Sequence, residues 1–510
     1  MLDKRIAVVG SGIGGLVCAL RLAHEGLQVT VLERDSRPGG KLRVEEVSGQ
    51  KIDSGPTVFT MKWVFEELLA SVGARLDQEI KLTSLPIIGR HFWADGSSLD
   101  LFADAHASES AVRDFAGADE AVRFRQFCAT TKALYEALES QFIRAPIGNL
   151  PKFMLGLGPR RLALLAGIGP SRTLWDGLGR HFTDLRLRQL FARYSTYCGS
   201  SPWQAPATLA LIAQVEMDGV WAVQGGMAAL IQCLVRLCKQ NGVVFRLNSE
   251  CKEIQTLRGR INGILLADGE HIETDIVVYN GDVAALRNGL QGSKITKAVP
   301  LRQGERSLSA VTWSMYAKAV GVQLERHNIF FNSNYKNEFE NIFGAKQLPV
   351  EPTVYICAQD RGVAQTTQSA ERLLCLVNAP AVGDTDTISE RSIEQLQART
   401  FKFLSQCGLD IDAHAGNTLC TTPNHFHQRF PGTGGALYGQ ATHGWLSIFT
   451  RPGATSPIAG LFLAGGSVHP GPGVPMSAMS GRIAAAAVME HLGLTSLSLR
   501  TATSGGMLTP

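Results

Sequence analysis

Gly10, Gly12 and Gly15 are spaced so that a chain can turn sharply and bring backbone N–H groups against a charged ligand. The first glycine permits the tight turn, the second a close approach by a pyrophosphate, and the third tight packing of a helix on a strand. The flanking residues supply the elements this turn needs. Residues 6–9 are an apolar, β-branched run long enough for one buried parallel strand, and from residue 16 to 24 the apolar positions take helical spacing. Such a helix would aim its unpaired N–H donors and positive dipole end at the phosphates. A second strand over residues 29–32 ends in Glu33, at the distance expected for gripping ribose hydroxyls. Gly39 and Gly40 then make a second close-approach turn with a cation, Lys41, beside it. The competing reading is a βαβ turn with no ligand; strand, helix and acid together weigh against it. The chemistry is dinucleotide binding.

Composition narrows the rest. A chain of 510 residues is too long for one simple core, so two or three substructures are expected. The net charge of +4 comes without a block of like charges, and no basic stripe is interleaved with aromatics, which excludes nucleic acid as a partner. The ten cysteines form no C-x-x-C pair and no Cys/His cluster with ligand spacing, so no metal is expected and reduced thiols in the cytoplasm are the economical reading. Lys4-Arg5 before an apolar stretch imitates a signal peptide, but the glycine spacing explains that stretch better. No apolar run reaches bilayer-spanning length.

Along the chain, residues 60–72 read as an amphipathic helix and 91–102 as a hairpin turning at Asp95-Gly96, so antiparallel sheet begins near residue 80. Residues 108–217 are mainly helical. Within them, 146–179 combines apolar residues with Arg160-Arg161 and Trp175, the ingredients either of an interfacial helix lying on a membrane or of a buried helical lid. Gly225-Gly226 opens a helix to about residue 240, residues 243–247 form a strand, and 254–278 form strands around Asp268-Gly269. Residues 300–450 mix strands with a helix over 389–407. A strand at 460–464 then enters a glycine-rich turn and a small-residue helix from Met476, whose small side chains would allow close approach to a flat ligand. The fold expected is α/β. It has a Rossmann-type domain from 1–75, 226–285 and 455–495, a mixed-sheet substrate domain from 76–107 and 286–454, a helical lid or membrane-associating region over 108–225, and a flexible tail at 496–510.

Several landmarks follow one another in an order that resembles the carotenoid and retinoid oxidoreductases, the phytoene desaturase-like flavin adenine dinucleotide (FAD) enzymes. They are Gly10-x-Gly12-x-x-Gly15, Glu33-Arg34, Gly39-Gly40-Lys41, Gly225-Gly226-Met227, and Ala464-Gly465-Gly466 with His469-Pro470-Gly471-x-Gly473-x-Pro475. The last motif separates this group from amine oxidases. Residues 52–61 and 90–93 look like the 1-hydroxycarotenoid 3,4-desaturase branch. The resemblance implies that Glu33, followed by Arg34, holds the adenosine ribose. It implies that the backbone of Gly10, Gly12, Gly14, Gly15, Gly39 and Gly40, with Lys41, holds the pyrophosphate. Gly55, Pro56 and Thr57 would border the ribityl chain and isoalloxazine together with Gly465, Gly466, Gly473 and Val474.

The implied reaction removes a hydride and a proton from neighbouring carbons, and only the flavin can accept the hydride. The base is not assigned: His91 and His469 are candidates, although a histidine in a hairpin strand is more often structural and His469 sits in a turn-defining motif. A forty-carbon polyene substrate implies a membrane surface as a partner and peripheral attachment from the cytoplasm. With one dinucleotide fingerprint there is no nicotinamide site, so oxygen or a quinone is the expected electron acceptor. The alternatives on the same fold are a phytoene desaturase, a redox-neutral carotene isomerase, an amine oxidase, and a non-catalytic prenyl- or lipid-binding protein resembling the GDP dissociation inhibitors.

Overall fold

The computed structural model describes residues 4–147, 150–169, 171–299, 304–362, 370–385 and 387–494, with backbone alone for 150–155. The tail expected at 496–510 lies outside the described residues.

A five-stranded parallel sheet gathers the nucleotide-binding residues. Its strand order is Leu461–Leu463, Ile276–Tyr279, Arg5–Val9, Gln28–Leu32 and Val244–Arg246, so distant stretches of chain meet side by side. Ile6 lies opposite both Val29 and Ile276, and the central strands are buried, as their continuous apolar sequences require. The helix Ile13–His24 leaves the glycine turn directly and packs against the C-terminal helix Val474–His491. Here the structure corrects the sequence reading. Ala478, Ala484 and Ala485 are fully buried in the core, and a Cβ on Gly481 would overlap the Gly14 carbonyl oxygen. The small residues therefore let two helices approach, and only the first turn of the second helix, through Ser477, reaches the central cavity.

The second sheet has seven strands in the order Thr418–Thr421, Ser309–Ala317, Glu371–Ala379, Val354–Ala358, His327–Phe331, Ile87–Trp93 and Ser98–Phe102. All neighbours are antiparallel except His327–Phe331 with Ile87–Trp93. Period-two alternation gives it two faces. On the outer face Val311, Trp313, Met315, Cys375 and Val377 pack with Leu396 and Leu404 of the helix Glu390–Gln406. On the inner face Thr312, Leu376, Tyr355, Ile329 and His91 form one cross-strand row. Helices Ala118–Leu138 and Leu185–Ala192 cover part of that face, with Phe124, Phe127, Leu187 and Phe191 packed into the same core as Trp93, Ile329 and Phe331. The segment 146–179 becomes two helices, Leu150–Ile168, broken at Gly158 (φ 72°) before Pro159, and Leu174–Leu178.

Two histidines of the inner face are fully buried as neutral rings. Burial first, and then the nearby Arg193 guanidinium, hold His91 down to about 3; burial, Arg326 and Arg193 hold His327 to the same level. Between the ordinary histidine value and pH 3 the unfolded chain therefore binds protons that the native fold refuses, so stability must fall as pH falls through that window.

Two expectations follow from this packing. Gly481→Ala gains helix propensity of about 1 kcal/mol, but overlap with the Gly14 carbonyl costs about 1–3 kcal/mol or more. The melting temperature should drop, and a rise would contradict the backbone contact. His91→Asn, which keeps a donor for the Leu99 carbonyl that His91 Nδ1 now serves at 3.1 Å, should flatten the decline of the urea midpoint between pH 6.5 and 4.5. An unchanged slope would show that His91 titrates normally.

Candidate active site

One cavity of about 620 Å³ runs from the glycine turn to the inner face of the seven-stranded sheet. At the nucleotide end its floor is backbone. A Cβ on Gly12 would come within 2.9 Å of Asn280 Nδ2, and one on Gly14 within 2.9 Å of the Gly465 nitrogen. A Cβ on Gly15 would overlap the Gly10 carbonyl oxygen, and one on Gly40 would lie 3.2 Å from the Gly12 Cα. No side chain fits beneath this turn, so a flat or phosphorylated ligand can lie directly on N–H groups at the start of the helix Ile13–His24. This is the cradle that FAD requires, and the residues present fit it.

Asn280 organises the cradle. It follows the strand Ile276–Tyr279, its Nδ2 donates to the Gly10 carbonyl at 3.4 Å, and its side chain occupies the space that glycines 12, 14 and 15 leave open. Glu33 ends its strand at the cavity wall and is nearly buried. Its Oε2 accepts the Ser11 N–H at 2.8 Å and the Ser11 hydroxyl, and Oε1 accepts the Asp35 N–H at 3.0 Å. A carboxylate has acceptor sites to spare after three such bonds, and these fix its orientation. Arg34 lines the same end, with Nη2 donating to the Arg429 carbonyl at 2.6 Å. Lys41 also lines the cavity, but its ammonium donates to the Leu437 carbonyl at 2.5 Å and lies 5.3 Å from the Phe430 ring centre. Burial lowers its pKa. Nearby, the buried Arg451 donates to the carbonyls of Tyr438 (3.0 Å), Gln440 (2.8 Å) and Gly466 (3.3 Å), bracing the C-terminal glycine turn. Val474 opens the long C-terminal helix with its N-terminus at the cavity.

The opposite end changes character. Ile212 and Val215 from the helical layer face Ile329, Leu374 and Leu376 from the sheet. Set into this apolar wall are Tyr355, Tyr197 and Arg193, and Thr57 reaches Tyr355 from the Gly55–Thr57 turn at the cofactor side. The Arg193 guanidinium is nearly buried, with Nη2 3.9 Å from Glu216 Oε2 and Nη1 donating to the Tyr197 hydroxyl at 3.3 Å. Tyr194 donates to Glu216 at 2.7 Å, and Tyr197 donates to its other oxygen. The pair neutralises itself, which is what makes two buried charges tolerable here. Burial pushes the Tyr197 hydroxyl well above its ordinary pKa.

Of the residues singled out from sequence, Gly10, Gly12, Gly14, Glu33, Arg34, Gly39, Gly40, Lys41, Gly55, Pro56, Thr57, Gly465, Gly466, Gly473 and Val474 all line this cavity, and Gly15 supports it from behind. The two histidines do not line it. His91 lies beyond Ile329 in its row, stacked on Phe331. His469 donates Nε2–H to the Ala145 carbonyl at 2.9 Å and packs edge-on against Phe142. Both are buried and packed against aromatic rings behind the cavity lining. Asn280, Arg451, Arg193 and Tyr355 were missed. Asn280 had a signal, its place at the carboxyl end of a parallel strand beside the glycine turn; the others had none.

With this geometry in hand, the relatives are informative. Residues 13–489 match the model of a family described as flavin containing amine oxidoreductase. The chain is 49% identical to a hydroxyneurosporene desaturase of Rubrivivax gelatinosus, over 99% of this chain and 97% of the relative. It is 42% identical to one of Cereibacter sphaeroides (96% and 98%) and 32% identical to a 1-hydroxycarotenoid 3,4-desaturase of Flavobacterium sp. (94% and 98%). Among solved structures, wild-type putrescine oxidase bound to putrescine aligns with a TM-score of 0.62 at 13% identity, covering 96% of this chain and 99% of the other. A fatty acid isomerase of P. acnes aligns with a TM-score of 0.58 at 12% identity, covering 96% and 98%; these two likenesses are of fold. Cradle, cavity and kinship agree: the chain belongs to the flavin-containing amine oxidoreductase family and is an FAD enzyme.

Proposed function

We propose that this enzyme is a carotenoid desaturase that introduces a C-3,4 double bond into acyclic 1-hydroxycarotenoids. The observation that carries the reading is a single cavity with an FAD cradle at one end and an apolar wall bearing a few hydroxyls at the other. The full-length kinship to desaturases of hydroxylated carotenoids supports it. When bound, FAD supplies the hydride acceptor that no side chain can provide. The rest is the work of this chain. The Gly10–Gly15 turn and the adjoining helix N-terminus would hold the pyrophosphate, Glu33 the ribose, and Gly55–Thr57 with Gly465, Gly466, Gly473 and Val474 the flavin end. The apolar wall would exclude water and hold an extended polyene in register, which supplies much of the rate. Among the described residues at that end no histidine, aspartate or glutamate lines the cavity. The protic groups there include the Arg193 guanidinium and hydroxyls such as that of Tyr197, backed by Glu216.

The substrate's insolubility argues for loading from a bilayer. No described helix is long and apolar enough to cross a membrane, so attachment would be peripheral, from the cytoplasmic side. Arg160 is exposed just after the break at Gly158. Trp445 and Leu446 are exposed at 43% and 44%, on the loop whose Ile448 lines the cavity. An apolar loop tip beside the cavity wall and a basic helix face suit a headgroup surface. Trp175 is reassigned: its ring packs on Trp203 and under Arg188, away from such a role. The single dinucleotide cradle favours oxygen or a quinone as the final acceptor.

Two measurements test this reading. Anaerobic FAD-loaded enzyme, mixed with liposomes carrying an acyclic 1-hydroxycarotenoid, should show flavin bleaching together with a red shift of the polyene bands. A product of unchanged mass would identify an isomerase instead. The double change Arg160→Glu, Arg161→Glu should lower co-sedimentation with anionic liposomes severalfold, and undiminished binding would refute that surface.

A further inference from the structure

On the inner face of the sheet three polar side chains stand in line. Thr57 Oγ1 and the Tyr355 hydroxyl are 2.7 Å apart, and the same hydroxyl is 2.7 Å from His327 Nδ1. Thr57 and Tyr355 line the cavity; His327 stands behind them, 3% exposed, with no partner for Nε2. We propose that this chain of hydroxyls is a subsite that reads the alcohol on the substrate's end group, with Thr57 making the contact. The proposal rests on the desaturase reading given above.

Counting hydrogens carries the argument. A neutral His327 has one N–H, and Tyr355 and Thr57 have one O–H each. If Nδ1–H donates to Tyr355, then Tyr355 donates to Thr57 and the Thr57 proton is left for the cavity. If Nδ1 instead accepts from Tyr355, then Thr57 donates to Tyr355 and its lone pairs are left for the cavity. In either arrangement Thr57, itself only 7% exposed and also touching the Cys357 thiol, keeps hydrogen-bonding capacity beyond its bond to Tyr355: its proton and a lone pair in the first, lone pairs alone in the second. An alcohol satisfies both arrangements because it is donor and acceptor. A methyl ether can only accept and so suits the first arrangement alone. A hydrocarbon end group bonds in neither, leaving the Thr57 proton unpaired in the first, at a cost of about 1–3 kcal/mol, and only lone pairs unused in the second.

Position points the same way. In a 1-hydroxycarotenoid the alcohol carbon is separated from C-3 by a single carbon, so the group that reads it must lie beside the reacting bond. Thr57 belongs to the Gly55–Thr57 turn on the cofactor side of the cavity. Thr312, in the strand Ser309–Ala317, and Thr353, just before the strand Val354–Ala358, also line the cavity, and they are the natural competitors.

The test uses full-length FAD-loaded enzyme and three substrates delivered in liposomes: an acyclic 1-hydroxycarotenoid, its 1-methoxy analogue and the unsubstituted hydrocarbon. Binding is read by quenching of tryptophan fluorescence, and turnover by the polyene spectrum. Wild type should prefer the alcohol to the hydrocarbon in kcat/KM by about 100-fold or more. Thr57→Val and Tyr355→Phe should each shrink that preference at least tenfold, in binding as well as turnover, while Thr57→Ser retains it. A preference unchanged in both variants, or lost in Thr312→Val or Thr353→Val instead, overturns the subsite. Preferential binding of the alcohol that depends on Thr57, without any turnover, would keep the subsite and sink the desaturase reading.

Discussion

Everything at the cofactor end depends on backbones lying closer together than any side chain allows. The Gly10–Gly15 turn rests against Asn280 and Gly465, and the helix leaving it rests against Gly481. A methyl group at Gly14, Gly15 or Gly481 would meet main-chain atoms, which cannot swing aside as a flexible side chain can. The cradle is thus a three-way contact among the first strand–turn–helix unit, the end of the strand Ile276–Tyr279 and the C-terminal turn. Asn280 fills the gap where they meet, and Arg451 binds the third partner to the loop 438–440 by three carbonyl contacts.

A second junction ties this cradle to the substrate side. The nearly buried Asp53 exchanges backbone hydrogen bonds with the Gln359 amide, at 3.0 and 2.8 Å, and its carboxylate accepts the Met227 N–H at 2.8 Å. A Cβ on Gly226 would overlap that carboxylate, so the Gly225-Gly226 pair is there for this contact. Asp53 thereby joins the seven-stranded sheet, through Gln359, to the helix Ala228–Gln240 that packs beneath the parallel sheet. It also fixes the start of the segment leading to Gly55, Pro56 and Thr57. One buried acid thus ties the two sides of the cavity together by three hydrogen bonds.

What could be read from sequence was whatever is encoded locally. Glycine spacing, the apolar runs ending at Val9 and Leu32, and the Asp95-Gly96 hairpin each state their structure within a dozen residues. What stayed hidden depends on partners far along the chain. Nothing near Arg451 announces that its guanidinium will be spent on backbone carbonyls, and nothing near Tyr355 reveals Thr57 across the fold. The histidines were attractive by neighbourhood alone, and the fold buries both among aromatics and carbonyls outside the cavity lining. The small-residue helix was misjudged for a related reason: smallness signals close approach, but not whether the thing approached is a ligand or another helix.

The order in which the chain supplies its strands has a consequence for how the enzyme is made. The central strand Arg5–Val9 is synthesised well before the strand Leu461–Leu463 and the helix Val474–His491, which complete the sheet and cradle. At ordinary translation rates the two are separated by roughly half a minute or more. Throughout that interval the glycine turn lacks its contacts with Gly465 and Gly481. The cradle is therefore completed late in synthesis. A cofactor that rests on all three segments would favour the completed fold by mass action.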